Sequence, residues 1–421
     1  MRLRIASIAC LTAAVGWAAT HTTTLSADAT GRLMFGLWKT RDLLLAGGFV
    51  WLAVAIALAS ISNKAALRFM VANVSLGFTW LLIEAAGMLG VVNYQAMLNP
   101  VAKGQLGTEP VPFADVHGTT REDLASGWGM PSPEIEFHFV ADRRGFRNEP
   151  DREQGDIYCL GDSFLVAGLV PWQQTVTARL EEQTGREVIA LALNGLAPQA
   201  ECDLFRKSQL AAKGKLVIQF LFEGNDLLDS ASYGAPHAEE SSSLKDRSLA
   251  NNLILKLQQA TQPVEDFLAL REGTIDGERY LFRWNRSSFA GYEAESDHIL
   301  SSLAQFRTEI EAAGGTYAIV MIPSKIRVLG PHCEFDEQSP LADWQSHCST
   351  WPDTVRAWCE EQGLAYFDLA PTLEAAIQRG EIPWFRGDTH WNSTGNQVAA
   401  DAVAHWQFVR DWNGNANGDR P

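Results

Sequence analysis

The sequence predicts an α/β protein: a three-layer sandwich around a central parallel sheet, preceded by N-terminal transmembrane helices. Three observations carry this. Two apolar runs of membrane-spanning length lie ahead of residue 93. From residue 151 onward, short β-rich runs alternate with helical stretches, which is the pattern of a parallel sheet covered on both faces. Hydrophobic residues make up 46% of the 421 and charged residues 20%, enough to bury a core of that size.

The first run, residues 43–62 (LLLAGGFVWLAVAIALASIS), has no charge. The second, 69–92, is broken by Glu84, an acid that is costly in a bilayer unless neutral, paired or packed inward. Either run alone reads equally as a buried core helix. Two so close together, separated by the polar stretch 63–68, read as membrane spans. A third candidate, 5–20, follows Arg2 and Arg4 and is either a first span or a cleaved signal segment, with Ala18-Ala19 near its end. Three spans that start inside, or a cleaved signal and two spans, both leave the chain after Val92 outside the cytoplasm. Lys64 and Arg68 suit an inside loop, whereas Arg32, Lys39 and Arg41 then lie outside, against the positive-inside trend. The expectation is an inner-membrane protein with an extracytoplasmic folded domain.

A formal net charge of -16 argues against a nucleic-acid partner, which needs a basic surface. The layout is a membrane segment (1–93), an irregular linker and lead-in (94–150), a folded domain (151–412) and a disordered tail (413–421). Strands are expected at 157–160, 188–193, 216–222, 317–322 and 365–368, and helices near 172–182, 199–212, 297–313, 352–361, 371–378 and 393–405. Residues 229–295 break the alternation and read as an insertion, a lid or substrate wall, with an amphipathic stretch at 249–270. Cys333 and Cys348 bracket a polar stretch. A disulfide is the first reading, two free thiols the second, and a metal site with the preceding His332 and His347 the third. Cys10, Cys159, Cys202 and Cys359 carry no further signal.

In a parallel α/β sheet, ligands bind beyond the carboxyl ends of the strands. Gly161-Asp162-Ser163-Phe164 directly follows the first strand, so a serine projects there from a helix start with its own N–H available to an oxyanion. Alone it reads as a turn or a helix cap. Asn194-Gly195 follows the second strand and Gly224-Asn225-Asp226 the third, and each alone is turn chemistry. Far downstream lies Gly387-Asp388-Thr389-His390-Trp391-Asn392. Serine is a poor nucleophile until a base takes its proton; histidine fits that task, and a nearby carboxylate fixes its tautomer. Trp384 and Trp391, two of 14 tryptophans, flank this block as a sugar-binding surface or as core, at even odds.

The order of these blocks resembles the SGNH (GDSL-like) hydrolase superfamily over residues 145–405. Gly145-Phe146-Arg147-Asn148, Ile322-Pro323-Ser324-Lys325 and the Asp-Thr-His-Trp run are similar to the alginate O-acetyltransferase domains of the AlgJ/AlgX kind. The resemblance implies Ser163 as nucleophile and first oxyanion donor, Gly195 and Asn225 as further donors, His390 as general base and Asp388 as its orienting partner, with no cofactor and no metal. Glu223 stands where the third block usually has Gly, and one residue rather than two separates Asp388 from His390. In the acetyltransferases the Asp–His pair precedes the serine; here it follows. The resemblance therefore implies an esterase acting on an acylated carbohydrate or small ester, an O-acyltransferase served by a membrane acyl-donor partner, or a non-catalytic binding or assembly protein on the same fold.

Overall fold

The computed structural model describes residues 2–21, 38–92, 94, 97, 110–127, 132–233, 247–261, 271–282, 292–337 and 339–412. The expected tail and much of the 229–295 insertion lie outside the described residues. The chain divides into two compact units, residues 1–104 with 237–269 and residues 105–236 with 270–421.

The first unit is helical: α1 (Arg2–Thr20), α2 (Thr40–Ile61), α3 (Asn63–Met88) and a helix Leu249–Thr261. By length and composition, α2 and α3 can each cross a membrane, and α1 contributes a shorter apolar stretch, Ser7–Thr20. Leu67, Val74, Leu76, Phe78 and Leu81 on α3 are exposed, a surface suited to lipid rather than water. Glu84 is paired: its carboxylate oxygens accept the N–H groups of Leu249 (3.1 Å) and Ala250 (2.7 Å). Those are orphan donors of the first turn of Leu249–Thr261, where a carboxylate also meets the positive end of the helix dipole. The amphipathic stretch of the insertion therefore groups with the N-terminal helices.

In the second unit five parallel strands form one sheet: β3 (Ile157–Gly161), β4 (Val188–Ala192), β5 (Leu216–Phe222), β8 (Thr316–Ile322) and β9 (Ala365–Asp368), in the spatial order β4-β3-β5-β8-β9. Alternate side chains enter two cores. Ile157, Cys159, Ile218, Phe220 and Val320 pack on one side with Leu180, Leu373 and Val398. Tyr158, Leu160, Val217, Leu221 and Ile319 pack on the other with Phe205, Phe306 and Trp351. The period of two in a strand produces this split, and helices on both faces complete three layers. The order reverses between β3 and β5, so the crevice beyond their carboxyl ends is the topological switch point.

Two regions differ from the sequence expectation. Part of the lead-in, read as irregular, is an antiparallel hairpin, β1 (Asp115–Thr120) with β2 (Ile135–Val140). Arg147, buried, donates to the carbonyls of Val166 (2.9 Å), Ala167 (2.6 Å) and Val170 (2.8 Å). Asn148 exchanges hydrogen bonds with both the N–H and the carbonyl of Ala190, continuing the pairing of β4. The second is the cysteine pair: Cys333 and Cys348 are free thiols, not a disulfide. Cys333 packs against the apolar core near Phe335, while Cys348, at the end of a 3-10 helix, turns its thiol to the Trp344 carbonyl (3.6 Å).

Candidate active site

Ser163 stands where β3 gives way to the short helix Ser163–Val166. Asp162 caps that helix by accepting the Phe164 N–H at 3.0 Å. Gly161 cannot carry a side chain here, since a Cβ would lie 2.8 Å from Leu165. The Ser163 Oγ is 2.7 Å from His390 Nε2, and His390 Nδ1 is 2.7 Å from Asp388 Oδ1. Ser163 and the Asp388–His390 pair, more than two hundred residues apart in sequence, thus form one continuous hydrogen-bonded relay.

The loop carrying Asp388 and His390 is held by backbone groups from elsewhere. Asp388 Oδ1 also accepts the His390 N–H (2.8 Å), and its Oδ2 accepts the Asp123 N–H (2.6 Å). Asp123 returns a bond, its Oδ1 accepting the Thr389 N–H (2.8 Å). The N–H groups of Leu124 and Ala125 donate to the Gly387 carbonyl. Gly387 is needed at this close approach, because a Cβ would fall 2.5 Å from Glu122 Oε2 and 2.9 Å from Ala125. Beneath the loop lies Lys325, buried, with its ammonium donating to the carbonyls of Phe385 (2.7 Å), Arg386 (3.0 Å) and Asp388 (3.1 Å). The hairpin β6 (Glu272–Ile275) and β7 (Glu278–Leu281) adds the Leu281 N–H on the Arg386 carbonyl and the rings of Tyr280 and Phe282 over the ammonium.

These contacts set the charges. Burial pulls His390 down, but Asp388, by charge and hydrogen bond, with Asp123 and Asp162 behind it, outweighs that and raises the imidazole to about 9. Burial pushes Asp388 up, but His390 and the donated N–H groups hold it below the usual carboxylate range. Burial lowers Lys325 to about 8, against the upward pull of Asp388, Asp123 and Glu122.

The other sequence candidates fall around the same switch point. Gly195 follows β4 with φ +67°, a left-handed conformation, and nothing lies within 4 Å of where a Cβ would be. Asn225 follows β5. Its NH2 donates to Asp229 (2.8 Å) and also serves Asp162, so donation to an oxyanion requires it to exchange one of these carboxylates. Glu223, the departure in the third block, is buried, accepts from Ser324 Oγ (2.5 Å) and pairs with Arg327 (2.6 Å). It thereby anchors the Ser324-Lys325 segment beneath the loop that carries Asp388 and His390. Trp384 and Trp391 are core: both are buried, and Trp391 packs edge-on to Phe164 with centroids 4.9 Å apart. A small cleft beside the loop is lined by Leu124, Phe222, Gly224, Ser324, Ile326 and Thr389.

Sequence reasoning did not find Glu122, Asp123 or the role of Lys325. The only signal was that Lys325 belongs to the Ile322-Pro323-Ser324-Lys325 run; Asp123 holds the loop by one backbone N–H and one carboxylate oxygen, and it lies outside every block of the sequence pattern.

Comparison with known proteins agrees with this architecture. A family model described as the SGNH hydrolase-like domain of the acetyltransferase AlgX matches residues 277–411, which include Asp388 and His390 but not Ser163. Over those residues the chain is similar to that SGNH hydrolase-like domain, and the parallel sheet in the order β4-β3-β5-β8-β9 is compatible with such a fold. Similar solved structures include a member of the lipolytic G-D-S-L family from Veillonella parvula DSM 2008, at 13% identity and TM-score 0.31, covering 59% of this chain and 97% of that one. An acetyl xylan esterase, AlAXEase, is 12% identical with TM-score 0.33, covering 59% and 96%. A catalytic mutant of an acetylxylan esterase from Geobacillus stearothermophilus is 13% identical with TM-score 0.32, covering 61% and 93%. No curated protein matches the chain. The fold assignment rests on the strand order and the family match.

Proposed function

We propose that this chain is a membrane-anchored serine esterase that removes O-acetyl groups from a carbohydrate outside the cytoplasm, through an acyl-serine intermediate. The observation that carries this is the unbroken relay from Ser163 Oγ through His390 to Asp388. His390 takes the Ser163 proton as the oxygen attacks the ester carbonyl. The backbone N–H groups of Ser163 and Gly195 receive the oxyanion, with Asn225 as third donor once it leaves a carboxylate. The bond to the sugar oxygen then breaks as His390 returns the proton to it. Water, deprotonated by the same base, releases acetate and restores the serine. The two apolar helices α2 and α3 support a membrane anchor.

A second reading, transfer of acetyl to a polysaccharide, is favoured by the match to an acetyltransferase-type domain at the Asp388–His390 end. The acceptor is then a sugar hydroxyl in place of water, and a membrane partner supplies the acyl group. A purely binding role is disfavoured by the assembled relay.

One experiment separates these. Purified protein is incubated with an acetyl donor and acetylated or bare oligosaccharides, and sugar masses are followed. Loss of acetyl supports hydrolysis, gain supports transfer, and neither supports the binding role. Ser163→Ala removes either activity, with a drop on the order of 10⁶ expected for a nucleophile that acts as a unit with its base; an unchanged rate in that variant refutes the assignment of Ser163.

A further inference from the structure

The hairpin β1–β2 carries a second cluster of chemically active side chains that the relay does not use. Its register places His117 directly opposite His138. Asp115, two residues before His117, shares that face by the strand period and lies diagonally across from His138. All three are exposed. Both imidazoles converge on one atom: Asp115 Oδ1 lies 3.2 Å from His117 Nε2 and 2.9 Å from His138 Nε2. The rings stack with centroids 4.0 Å apart and 15° between planes. The two nitrogens and the carboxylate oxygen all fall within 4.8 Å of one another.

From this geometry we propose that Asp115, His117 and His138 form a surface site for a divalent transition metal, with zinc as the probe. A zinc ion held at about 2.0–2.2 Å from N and O ligands keeps those ligands roughly 3 Å apart. The observed separations of 2.9 and 3.2 Å are already of that size, so binding requires little movement of the side chains. Two imidazoles with one carboxylate select zinc, nickel or copper over magnesium or calcium, which take mainly oxygen. Exposure leaves the remaining coordination positions to water. The bound ion ties the two strands of the hairpin together. Because β1 runs straight on to Glu122 and Asp123, it steadies the segment that grips the catalytic loop.

The test uses full-length protein in detergent, stripped with chelator and titrated with zinc chloride by calorimetry, with bound zinc counted after desalting. The wild type binds one equivalent at this site, and zinc raises its Tm. His117→Asn and His138→Asn each lose that equivalent and the Tm rise, while the Tm without zinc stays unchanged because the positions are exposed. The relay holds another cluster of possible ligands, Asp123, Asp388 and His390, so His390→Gln serves as control and retains the equivalent. No binding by the wild type overturns the proposal; the distances then reflect one carboxylate oxygen shared by two imidazoles. An equivalent that survives in the His117→Asn/His138→Asn double variant, or that His390→Gln alone abolishes, also overturns it.

Discussion

Replacing Lys325 with Met tests whether the relay depends on a group that touches neither Ser163 nor His390. Met keeps most of the volume beneath Tyr280 and Phe282 but removes the ammonium. Three buried carbonyls, of Phe385, Arg386 and Asp388, then lose their donor. Each unsatisfied carbonyl costs about 1–3 kcal/mol, so the gross loss is about 3–9 kcal/mol. Against this, the variant no longer buries a charge. Lowering Lys325 from 10.5 to about 8 corresponds to about 3 kcal/mol of cost that disappears with it. The net is a loop weakened by about 3 kcal/mol. A displacement of Asp388 of the order of 1 Å then lowers kcat roughly a hundredfold, with KM little changed. Steady-state hydrolysis of a p-nitrophenyl acetate-type ester gives the split, and denaturant titration gives the stability. A merely structural role lowers stability alone; a positioning role also moves the rising limb of the pH profile to lower pH, because a loosened Asp388 no longer holds His390 up. A variant with kcat within about twofold of wild type and an unmoved limb refutes this reasoning.

The base form of His390 appears as pH rises through its raised value, so kcat/KM increases with pH and levels off above about 9, not near the ordinary 6.5 of histidine. Asp388→Asn removes the main upward influence, so the limb falls toward the ordinary value while the plateau drops by about 10⁴; a profile flat from pH 6 upward, by contrast, separates His390 from the rate. Gly387→Ala forces a methyl against Glu122 Oε2 and Ala125, and the expected destabilisation is about 1–3 kcal/mol by thermal or urea unfolding. A Gly387→Ala protein of wild-type stability means that the 122–125 segment does not sit against the loop.

The sheet was legible because its strands are short apolar runs, buried on both faces and bounded by turns. Strands β5 and β9 match the expected ranges and the other three differ by one residue at an end. The placement of Ser163, Asp388 and His390 was legible too, since a nucleophile after one strand and an Asp-x-His before a late helix leave few other geometries. The brace was not. Asp123, Leu124 and Ala125 hold the loop through N–H groups, which every residue but proline carries, so composition does not mark them. The hairpin β1–β2 was missed because β1 (DVHGTT) is polar and mostly exposed, which leaves the alternating β2 without a recognisable partner. The tryptophans flanking His390 were ambiguous for the opposite reason: Trp fits a sugar face and a core equally well, and only packing decides.

Asp388 and the buried acids around it shift in opposite directions, because Asp388 faces the His390 imidazole while accepting several N–H groups. Asp388 is buried but accepts from the Asp123 N–H, the His390 N–H and the His390 ring, and its acidity is strengthened despite burial. Glu201 and Asp226, equally buried, fare differently. Glu201 receives Gln219 on one oxygen and Asp226 receives the Phe222 N–H on one oxygen, and the remaining oxygen of each has no protein partner. Burial therefore pushes both well above the usual range, and the neighbouring carboxylates add to the rise. Asp162, next to the serine, is raised by burial, although the Phe164 N–H, His390 and Asn225 pull it back. The consequence for the relay is a division of labour. Asp388 supplies the charge in direct contact with the imidazole, and Asp123 and Asp162 add to the upward pull on His390 from further away. The third block therefore acts here in two ways: Asn225 at the crevice, and Asp226, which fixes the end of β5 by accepting the Phe222 N–H.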